Sequence, residues 1–397
     1  MSSVDTASDL YWDPFLLELN TDPYPLFRRL RDEAPLYYNE KHDFYAVSRA
    51  ADVERSFADN KRLINGRSDV LEFIKSGMSF PSGMFIFEDA PKHTKHRGLL
   101  SRVFTPKKML ALEPEVREFC SRTLDQYVGS GGFDFVKDYA EIVSSRVIGL
   151  MLGIPEADQM AVRARLEGHV TPGQPRDAQK SNFEGAMYAE YIDWRETNPS
   201  DDLMTAMMNV EFEDEEGVTR KLTRQEVLTF TTLLSGAGND TTAKLIGWAG
   251  KVLADFPGER ALLVQEPGLI PDAVEELLRF ESPGMQNARF AVEDVTYDGG
   301  VLPAGSALVC IMASANRDER RFPDPDRFDV RRRPTGIMTF SFGSHFCLGA
   351  ALARLQGRVA IEELLLRFPE WTVVEDEAEL EPTSTTRGYK SLPILLP

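Results

Sequence analysis

The feature that most constrains the fold is an uninterrupted helical pattern over residues 223–256. Thr223 and Glu226 have the spacing of a capping box at the start of this pattern. Pro257 follows its end, where a helix is expected to stop. The pattern therefore predicts one helix that could span a whole domain, and we expect a mainly α-helical fold around it.

Other patterns divide the chain into a helical part and a smaller β-rich part. Helical spacing dominates residues 91–199 and 348–368, and a shorter helix is predicted over residues 271–280. Alternating apolar residues indicate short strands in three stretches, roughly 35–48, 289–310 and 371–397. We interpret residues 1–397 as a single domain, in which the remainder outside those three stretches is helical.

The composition excludes several functional classes. The formal net charge of −18 argues against sequence-independent binding to nucleic acid or to an anionic membrane. Residues 1–22 lack a basic segment and a long apolar run, so we expect neither a signal peptide nor a membrane anchor. Cys120, Cys310 and Cys347 are widely spaced and form no CxxC pair, which is typical of a cytoplasmic protein without disulfides.

Cys347 lies in a distinctive loop, FSFGSHFCLG at residues 340–349, directly before an amphipathic helix. Gly343 would let the chain turn tightly and approach a flat ligand, and Gly349 would remove a side chain where the helix meets that ligand. The N-H groups at a helix start favour a thiolate, the form that binds metals. An isolated cysteine is usually a buried small hydrophobe. A zinc site that uses His345 and Cys347 would have only two of the usual three or four ligands.

Residues 235–242, SGAGNDTT, place two glycines and an acid-alcohol pair in the middle of the long helix. Each interior glycine costs a helix about 0.5 to 1 kcal/mol relative to alanine, and the Asp-Thr-Thr run competes for backbone hydrogen bonds. We therefore expect a local bulge beside a ligand, formed around Asp240 and Thr241. An ordinary polar helix face is the alternative interpretation.

Two further pairs of charged residues share a helix face. Glu276 and Arg279 are three residues apart and can form an ion pair, although most such pairs are solvated and weak. His93 and Arg97 are four residues apart and together suit a carboxylate. A solvated basic face is the alternative for this second pair.

The cysteine loop resembles the haem-binding signature of the cytochromes P-450, Phe-x-x-Gly-x-basic-x-Cys-x-Gly. His345 takes the position often held by arginine. The resemblance implies the cytochrome P-450 fold, with haem b lying between the long helix and the cysteine loop. It also implies that Cys347 is the axial ligand of the haem iron and that His345 contacts a haem propionate.

Other motifs follow in the order found in this family. Residues 237–242 resemble its oxygen-activation motif, which implies that Thr241 holds dioxygen and that Asp240 helps to relay protons. The resemblance makes Glu276, Arg279 and Arg327 a buried network that braces the cysteine loop. It places His93, Arg97 and Arg289 on the propionates. The cofactor-binding set that it implies is Phe340, Gly343, His345, Gly349, Ala237, Gly238, His93, Arg97 and Arg289.

The family resemblance implies a monooxygenase that takes two electrons from NAD(P)H through a ferredoxin and a ferredoxin reductase. With dioxygen, it would hydroxylate a lipophilic small molecule. A basic patch would receive the ferredoxin, formed by Lys92, Lys95, Arg97, Arg102, Lys107, Lys108, Arg354 and Arg358. The residues predicted to line the substrate pocket are Phe85, Phe87, Leu233, Leu234, Met285, Gln286 and Thr385.

Two other functions remain open. A peroxide-driven hydroxylase of the same fold would need no delivered electrons, but known enzymes of that kind lack the acid-threonine pair. A haem-binding or ligand-carrier protein without catalysis would bind lipophiles and form no oxygenated product.

Overall fold

A computed structural model describes residues 10–166 and 185–397. The predicted long helix is present as Arg224–Asp255. Its capping box is formed, because Glu226 N donates to Thr223 Oγ1 at 3.2 Å and Thr223 N donates to the Glu226 carboxylate at 2.8 Å. These two hydrogen bonds satisfy backbone groups that a helix start would otherwise leave unpaired.

Helices make up about half of the described chain, and the longest of them is central. In chain order the α-helices are α1 Tyr24–Glu33, α2 Ala50–Ala58, α3 Leu71–Ser76, α4 Lys92–Ser101, α5 Pro106–Leu110, α6 Glu113–Asp125, α7 Glu141–Leu152, α8 Glu156–Leu166, α9 Ala189–Thr197, α10 Leu203–Asn209, α11 Arg224–Asp255, α12 Pro257–Gln265, α13 Ile270–Phe280, α14 Met312–Ala315 and α15 Ala350–Arg367.

The core forms where α11 packs against several other helices. It contacts α7, α15 and α13, while α15 also packs against α6, α13 and α5. A single large cluster of buried apolar side chains joins these helices, as expected when each contributes one apolar stripe. The cysteine loop leads directly into α15, so the core fixes the helix that follows Cys347.

Short strands form small sheets beside the helices. They are β1 Leu36–Asn39, β2 Phe44–Val47, β3 Leu63–Ile64, β4 Gly132–Asp134, β5 Glu211–Glu213, β6 Thr219–Lys221, β7 Asn287–Ala291, β8 Val295–Tyr297, β9 Gly300–Leu302, β10 Ala307–Cys310, β11 Thr372–Val373, β12 Glu379–Leu380, β13 Tyr389–Ser391 and β14 Pro393–Leu395.

The largest sheet combines distant parts of the chain. Its strand order is β1-β2-β10-β7-β3, with β1 and β2 antiparallel as an alternating hairpin predicts. A second sheet has the order β11-β14-β4. Strands β3, β4, β5 and β6 lie outside the three stretches in which we predicted strands. They are two or three residues long, which is too short to show an alternating pattern in the sequence.

Candidate active site

The cysteine loop is a tight turn held by its own backbone. Cys347 N donates to the Phe340 carbonyl oxygen at 2.8 Å, which closes the loop just before α15. Gly343 has a φ of +73°, and a Cβ at that position would lie 2.8 Å from the Phe57 carbonyl oxygen. Only glycine fits both conditions. At Gly343 the loop also lies close to the backbone at the end of α2.

Cys347 is the accessible cysteine of the chain, whereas Cys120 and Cys310 are buried. The backbone N-H of Gly349 and the nearby cations Arg97 and Arg354 act to lower its pKa. The surrounding protein nevertheless desolvates the sulfur, and this larger effect raises the pKa above its usual value. The backbone N-H at the helix start therefore favours the thiolate, as expected, but burial has the larger effect. Coordination to a metal cation would itself deprotonate such a thiol.

An accessible stripe interrupts the buried surface of α11. Ala237, Asp240 and Thr241 are exposed, although the helix on either side of them is mostly buried. Their spacing of three and four residues puts them on one face. Thr241 Oγ1 donates to the Ala237 carbonyl oxygen at 2.8 Å, and this bond leaves the hydroxyl oxygen able to accept a further hydrogen bond.

The predicted bulge in α11 is absent, since the described residues Arg224–Asp255 form one continuous α-helix. Gly238 has a different explanation. A Cβ on Gly238 would collide with Ile148 of α7, so Gly238 allows two helices to pack closely. A Cβ on Gly236 would meet no atom within 4 Å. Close helix packing therefore explains why position 238 has no side chain.

Asp240 has a partner that the sequence reasoning missed. Lys244 Nζ lies 2.8 Å from Asp240 Oδ1 and 2.7 Å from Oδ2, and it donates to Thr386 Oγ1 at 2.8 Å. The spacing of four residues on a helix was the signal that could have identified this pair. The carboxylate is therefore bound to a nearly buried ammonium group rather than simply solvated.

Four basic side chains converge near the cysteine loop, as predicted for His93, Arg97, Arg289 and His345. The rings of His93 and His345 stack with centroids 4.0 Å apart. Burial, followed by neighbouring cations, lowers the pKa of His93 to about 4 and that of His345 to about 2. Arg97 and Arg289 are among the cations that act on His345. Arg97 Nη2 donates to the Phe346 carbonyl oxygen.

This basic cluster fits an anionic cofactor. His93 is 3% exposed, and its Nε2 atom has no hydrogen-bond partner. Arg289 is also buried, where it donates to the Ala288 carbonyl oxygen and lies over the Phe57 ring. Unpaired buried polar atoms and buried cations are costly without compensation. Carboxylates such as the propionates of haem would supply that compensation.

Glu276 and Arg279 form the predicted buried pair, with both side chains 0% exposed. Arg279 donates to the two Glu276 oxygens at 2.7 and 2.8 Å. The third member is Arg332, whose Nε donates to Glu276 at 3.0 Å. The prediction for Arg327 is wrong, because its side chain is 66% exposed and only its carbonyl oxygen accepts from Arg279.

The buried network reaches the cysteine loop through Asn316. Arg279 Nη1 donates to the Asn316 carbonyl oxygen at 3.1 Å. The Asn316 side chain accepts from Met338 N and donates to Thr339 Oγ1. These two residues directly precede Phe340, so the network fixes the start of the loop.

The predicted pocket residues come together only in part. Phe85 stacks on Phe230 of α11 with centroids 5.7 Å apart. Gln286 Nε2 donates to the carbonyl oxygen of Ser384, the residue before Thr385, so these two candidates lie close together. Phe87 and Leu233 are buried in the large core cluster, against which Leu234 packs. Met285 instead packs in a separate cluster with Trp12, so the structure does not bring it to the other apolar candidates. Thr385 is half-buried.

Comparison with known proteins adds an independent line of evidence. The family model described as Cytochrome P-450 matches residues 263–394. Vitamin D(3) 25-hydroxylase of Pseudonocardia autotrophica is 34% identical to this chain over 99% of the chain and 96% of the relative. This chain belongs to the cytochrome P-450 family.

Further relatives agree with this assignment. Cytochrome P-450 monooxygenase PikC of Streptomyces venezuelae is 35% identical over 94% of this chain and 91% of the relative. The crystal structure of CYP109E1 from Bacillus megaterium in complex with testosterone superposes with a TM-score of 0.85 at 28% identity. It covers 96% of this chain and 99% of the other. The fold is therefore the cytochrome P-450 fold.

The family membership establishes the general activity. The protein is a haem b-dependent cytochrome P-450 monooxygenase that uses dioxygen, a substrate and redox partners. Within residues 10–166 and 185–397, no helix has both the length and the apolar character needed to cross a membrane.

Proposed function

We propose that this cytochrome P-450 hydroxylates a lipophilic small molecule, with two electrons delivered from NAD(P)H by a ferredoxin and its reductase. The observation that carries the proposal is the accessible Asp240 and Thr241 pair on a helix that is otherwise mostly buried. That pair favours dioxygen chemistry over the peroxide-driven alternative. The lipophilic substrate is supported by the names of relatives, which include a vitamin D(3) hydroxylase and a testosterone complex.

We propose that Cys347 is the axial ligand and that His93, Arg97, Arg289 and His345 hold the propionates. A thiolate-bound haem supplies the iron that activates dioxygen. Accessibility supports the role of Cys347, and the unpaired His93 Nε2 supports that of the basic cluster. Phe340, Gly343, Gly349, Ala237 and Gly238 complete the proposed cofactor-binding set.

Thr241 and Asp240 are the proposed catalytic residues. Because the Thr241 hydroxyl donates to the Ala237 carbonyl oxygen, its own oxygen faces the accessible side as an acceptor. It can therefore accept a hydrogen bond there and orient a proton donor. The Asp240 side chain is 55% exposed, so water can exchange protons with it.

Replacing Thr241 by alanine is expected to preserve haem content and oxygen consumption but to divert electrons to hydrogen peroxide. Proton delivery by a positioned group contributes factors of about 100 or more to rates, so we expect the product formed per NAD(P)H to fall roughly tenfold. Thr231→Ala is the matched control, since Thr231 also donates to the carbonyl four residues earlier on α11. An unchanged product yield in Thr241→Ala would contradict the proposed catalytic role of Thr241.

The overall proposal is tested by reconstituting the haem-loaded protein with its redox partners. Lipophilic compounds are first screened for those that shift the ferric iron from low to high spin. A compound selected in this way should be oxygenated only when NAD(P)H, ferredoxin and reductase are all present. Turnover on peroxide alone would favour the peroxide-driven hydroxylase, and no oxygenated product under either condition would favour a carrier protein.

The proposed ferredoxin site is smaller than the sequence predicts. Lys95 pairs with Glu213, Arg354 with Glu275, and Arg358 with Glu113 and Glu362. Arg102, Lys107 and Lys108 are exposed, and among the described residues no ion pair neutralises them. Lys107 and Lys108 lie on α5, which packs against α15, the helix that follows the cysteine loop in the chain. An acidic ferredoxin would complement this face.

Charge reversal at Lys107 and Lys108 together is expected to slow reduction by the ferredoxin about tenfold at low salt, because electrostatic steering accelerates such encounters. The difference should shrink as ionic strength rises. Stopped-flow reduction measures the rate, and charge reversal at Lys221 and Lys390 in strands β6 and β13 gives the same change in net charge elsewhere. A reduction rate equal to that of wild type and insensitive to salt would exclude this face as the ferredoxin-binding site.

We also propose that residues 1–397 form one catalytic domain that works in the cytoplasm. All three cysteines are free, which suits a reducing compartment.

A further inference from the structure

Lys244 lies in the interior of α11, one turn after Asp240. Its side chain is 8% exposed, and its ammonium group contacts both carboxylate oxygens of Asp240 and the hydroxyl of Thr386. Lysine is almost never this buried unless it is paired. The three contacts use the three protons of the ammonium group, so its position is fully determined.

The segment that faces Lys244 is shaped around it. A Cβ on Gly388 would collide with Lys244 Cγ, and Gly388 has no positive φ that would explain a glycine there. The absence of a side chain at Gly388 therefore makes room for the lysine stem. One turn later on α11, Trp248 Nε1 donates to the Arg387 carbonyl oxygen at 3.0 Å. We call residues 383–388 the C-terminal turn.

The C-terminal turn also borders the predicted substrate pocket. Met285 N donates to the Thr385 carbonyl oxygen at 2.8 Å, and Thr386 forms a β-bridge with Gly284. Thr385 and Gln286 both line a small internal space beside Asp69. Lys244 therefore connects a carboxylate on the accessible stripe of α11 to a turn at the edge of the pocket.

We propose that Lys244 is a positioning residue that fixes the orientation of the Asp240 carboxylate and links it to the C-terminal turn. This inference rests on the proposed role of Asp240 in proton delivery. A carboxylate bound through both oxygens to one ammonium group has little rotational freedom. When Lys244 is lost, Asp240 turns freely toward solvent, and the C-terminal turn keeps the bond from Trp248 to Arg387 but loses the one from Lys244 to Thr386.

The test replaces Lys244 by methionine, which preserves the apolar stem and removes the charge. The matched control is Lys251→Met, because Lys251 lies on the same helix, pairs with Asp255 four residues later and also contacts Glu375 of another segment. Lys244→Arg retains a cation and is expected to restore part of the wild-type behaviour. Thr386→Val removes the hydrogen bond between Lys244 and the turn, together with the hydrogen bond between the Thr386 and Thr383 hydroxyls inside the turn, and it leaves the Lys244–Asp240 pair in place.

Two measurements are made on the haem-loaded proteins. Hydrogen exchange of residues 383–388 in the substrate-free ferric state should accelerate about fivefold in Lys244→Met and in Thr386→Val, because the turn loses a tether. The fraction of electrons lost as hydrogen peroxide should rise about threefold or more in Lys244→Met. Lys251→Met should match wild type in both measurements.

The results for Lys244→Met distinguish a positioning role of Lys244 from a purely structural one. Wild-type exchange in Lys244→Met would overturn the link to the C-terminal turn. Faster exchange with unchanged peroxide loss would overturn the positioning role and make Lys244 a structural residue. If the wild-type protein itself forms no oxygenated product, the proposed function fails, and the exchange measurement alone then decides whether Lys244 holds the turn.

Discussion

Replacing Glu276 by alanine is expected to abolish haem incorporation. The Glu276 carboxylate accepts hydrogen bonds from Arg279, from Arg332 and from the backbone N-H of Asp329. Removing it leaves the fully buried Arg279 cation without a counter-charge, which costs about 3–5 kcal/mol of folding free energy. Because this network holds the residues before Phe340, the cysteine loop should lose its fixed geometry together with that stability.

Haem content per protein and the midpoint of urea unfolding measure this effect. Asp272→Ala is the control, because Asp272 lies on the same helix and pairs with an exposed arginine, Arg333. Such a surface pair contributes about 0–1 kcal/mol, so this variant should retain its haem. A Glu276→Ala protein with normal haem content and an unchanged midpoint would contradict the bracing role.

Arg332 and Arg327 differ in their contacts with this network, so replacing each of them should affect haem content differently. Arg332→Ala should lower haem content substantially because Arg332 contacts the Glu276 carboxylate directly. Arg327→Ala should have little effect because its side chain is mostly exposed.

Replacing Cys347 by serine is expected to reduce oxygenated product about a thousandfold or more, since the thiolate donates the electron density that favours O-O cleavage. A serine hydroxyl does not ionise at neutral pH and cannot replace it. The other cysteines cannot compensate, because Cys120 and Cys310 are buried and lie outside the cysteine loop.

Product formed per minute under the reconstituted conditions measures this loss, with Cys310→Ala as a control that leaves the loop intact. Cys310 lies in β10, away from the cysteine loop in sequence, and should tolerate the small substitution with normal activity. Normal product formation by Cys347→Ser would exclude Cys347 as the ligand.

The sequence predicted the features that depend on local spacing. The capping box at Thr223 and Glu226 and the ion pair of Glu276 with Arg279 each involve residues three positions apart, and both are present. A helix fixes such neighbours whatever the rest of the fold does. The same rule would have found Lys244 from its spacing to Asp240.

The sequence-based predictions were wrong where tertiary packing, rather than local spacing, determines the position of a side chain. Arg332 replaces Arg327 in the buried network because residues 316–334 are largely irregular, and no periodicity shows which arginine turns inward. The bulge expected in α11 is absent, and Gly238 instead allows close packing against Ile148 of another helix.

The most direct test of the account is the absorption spectrum of the reduced, haem-loaded protein with carbon monoxide. We expect the long-wavelength Soret band diagnostic of a sulfur ligand in wild type, and its loss in Cys347→Ser. A wild-type protein that binds haem and carbon monoxide but lacks this band would contradict the assignment of Cys347 as the iron ligand.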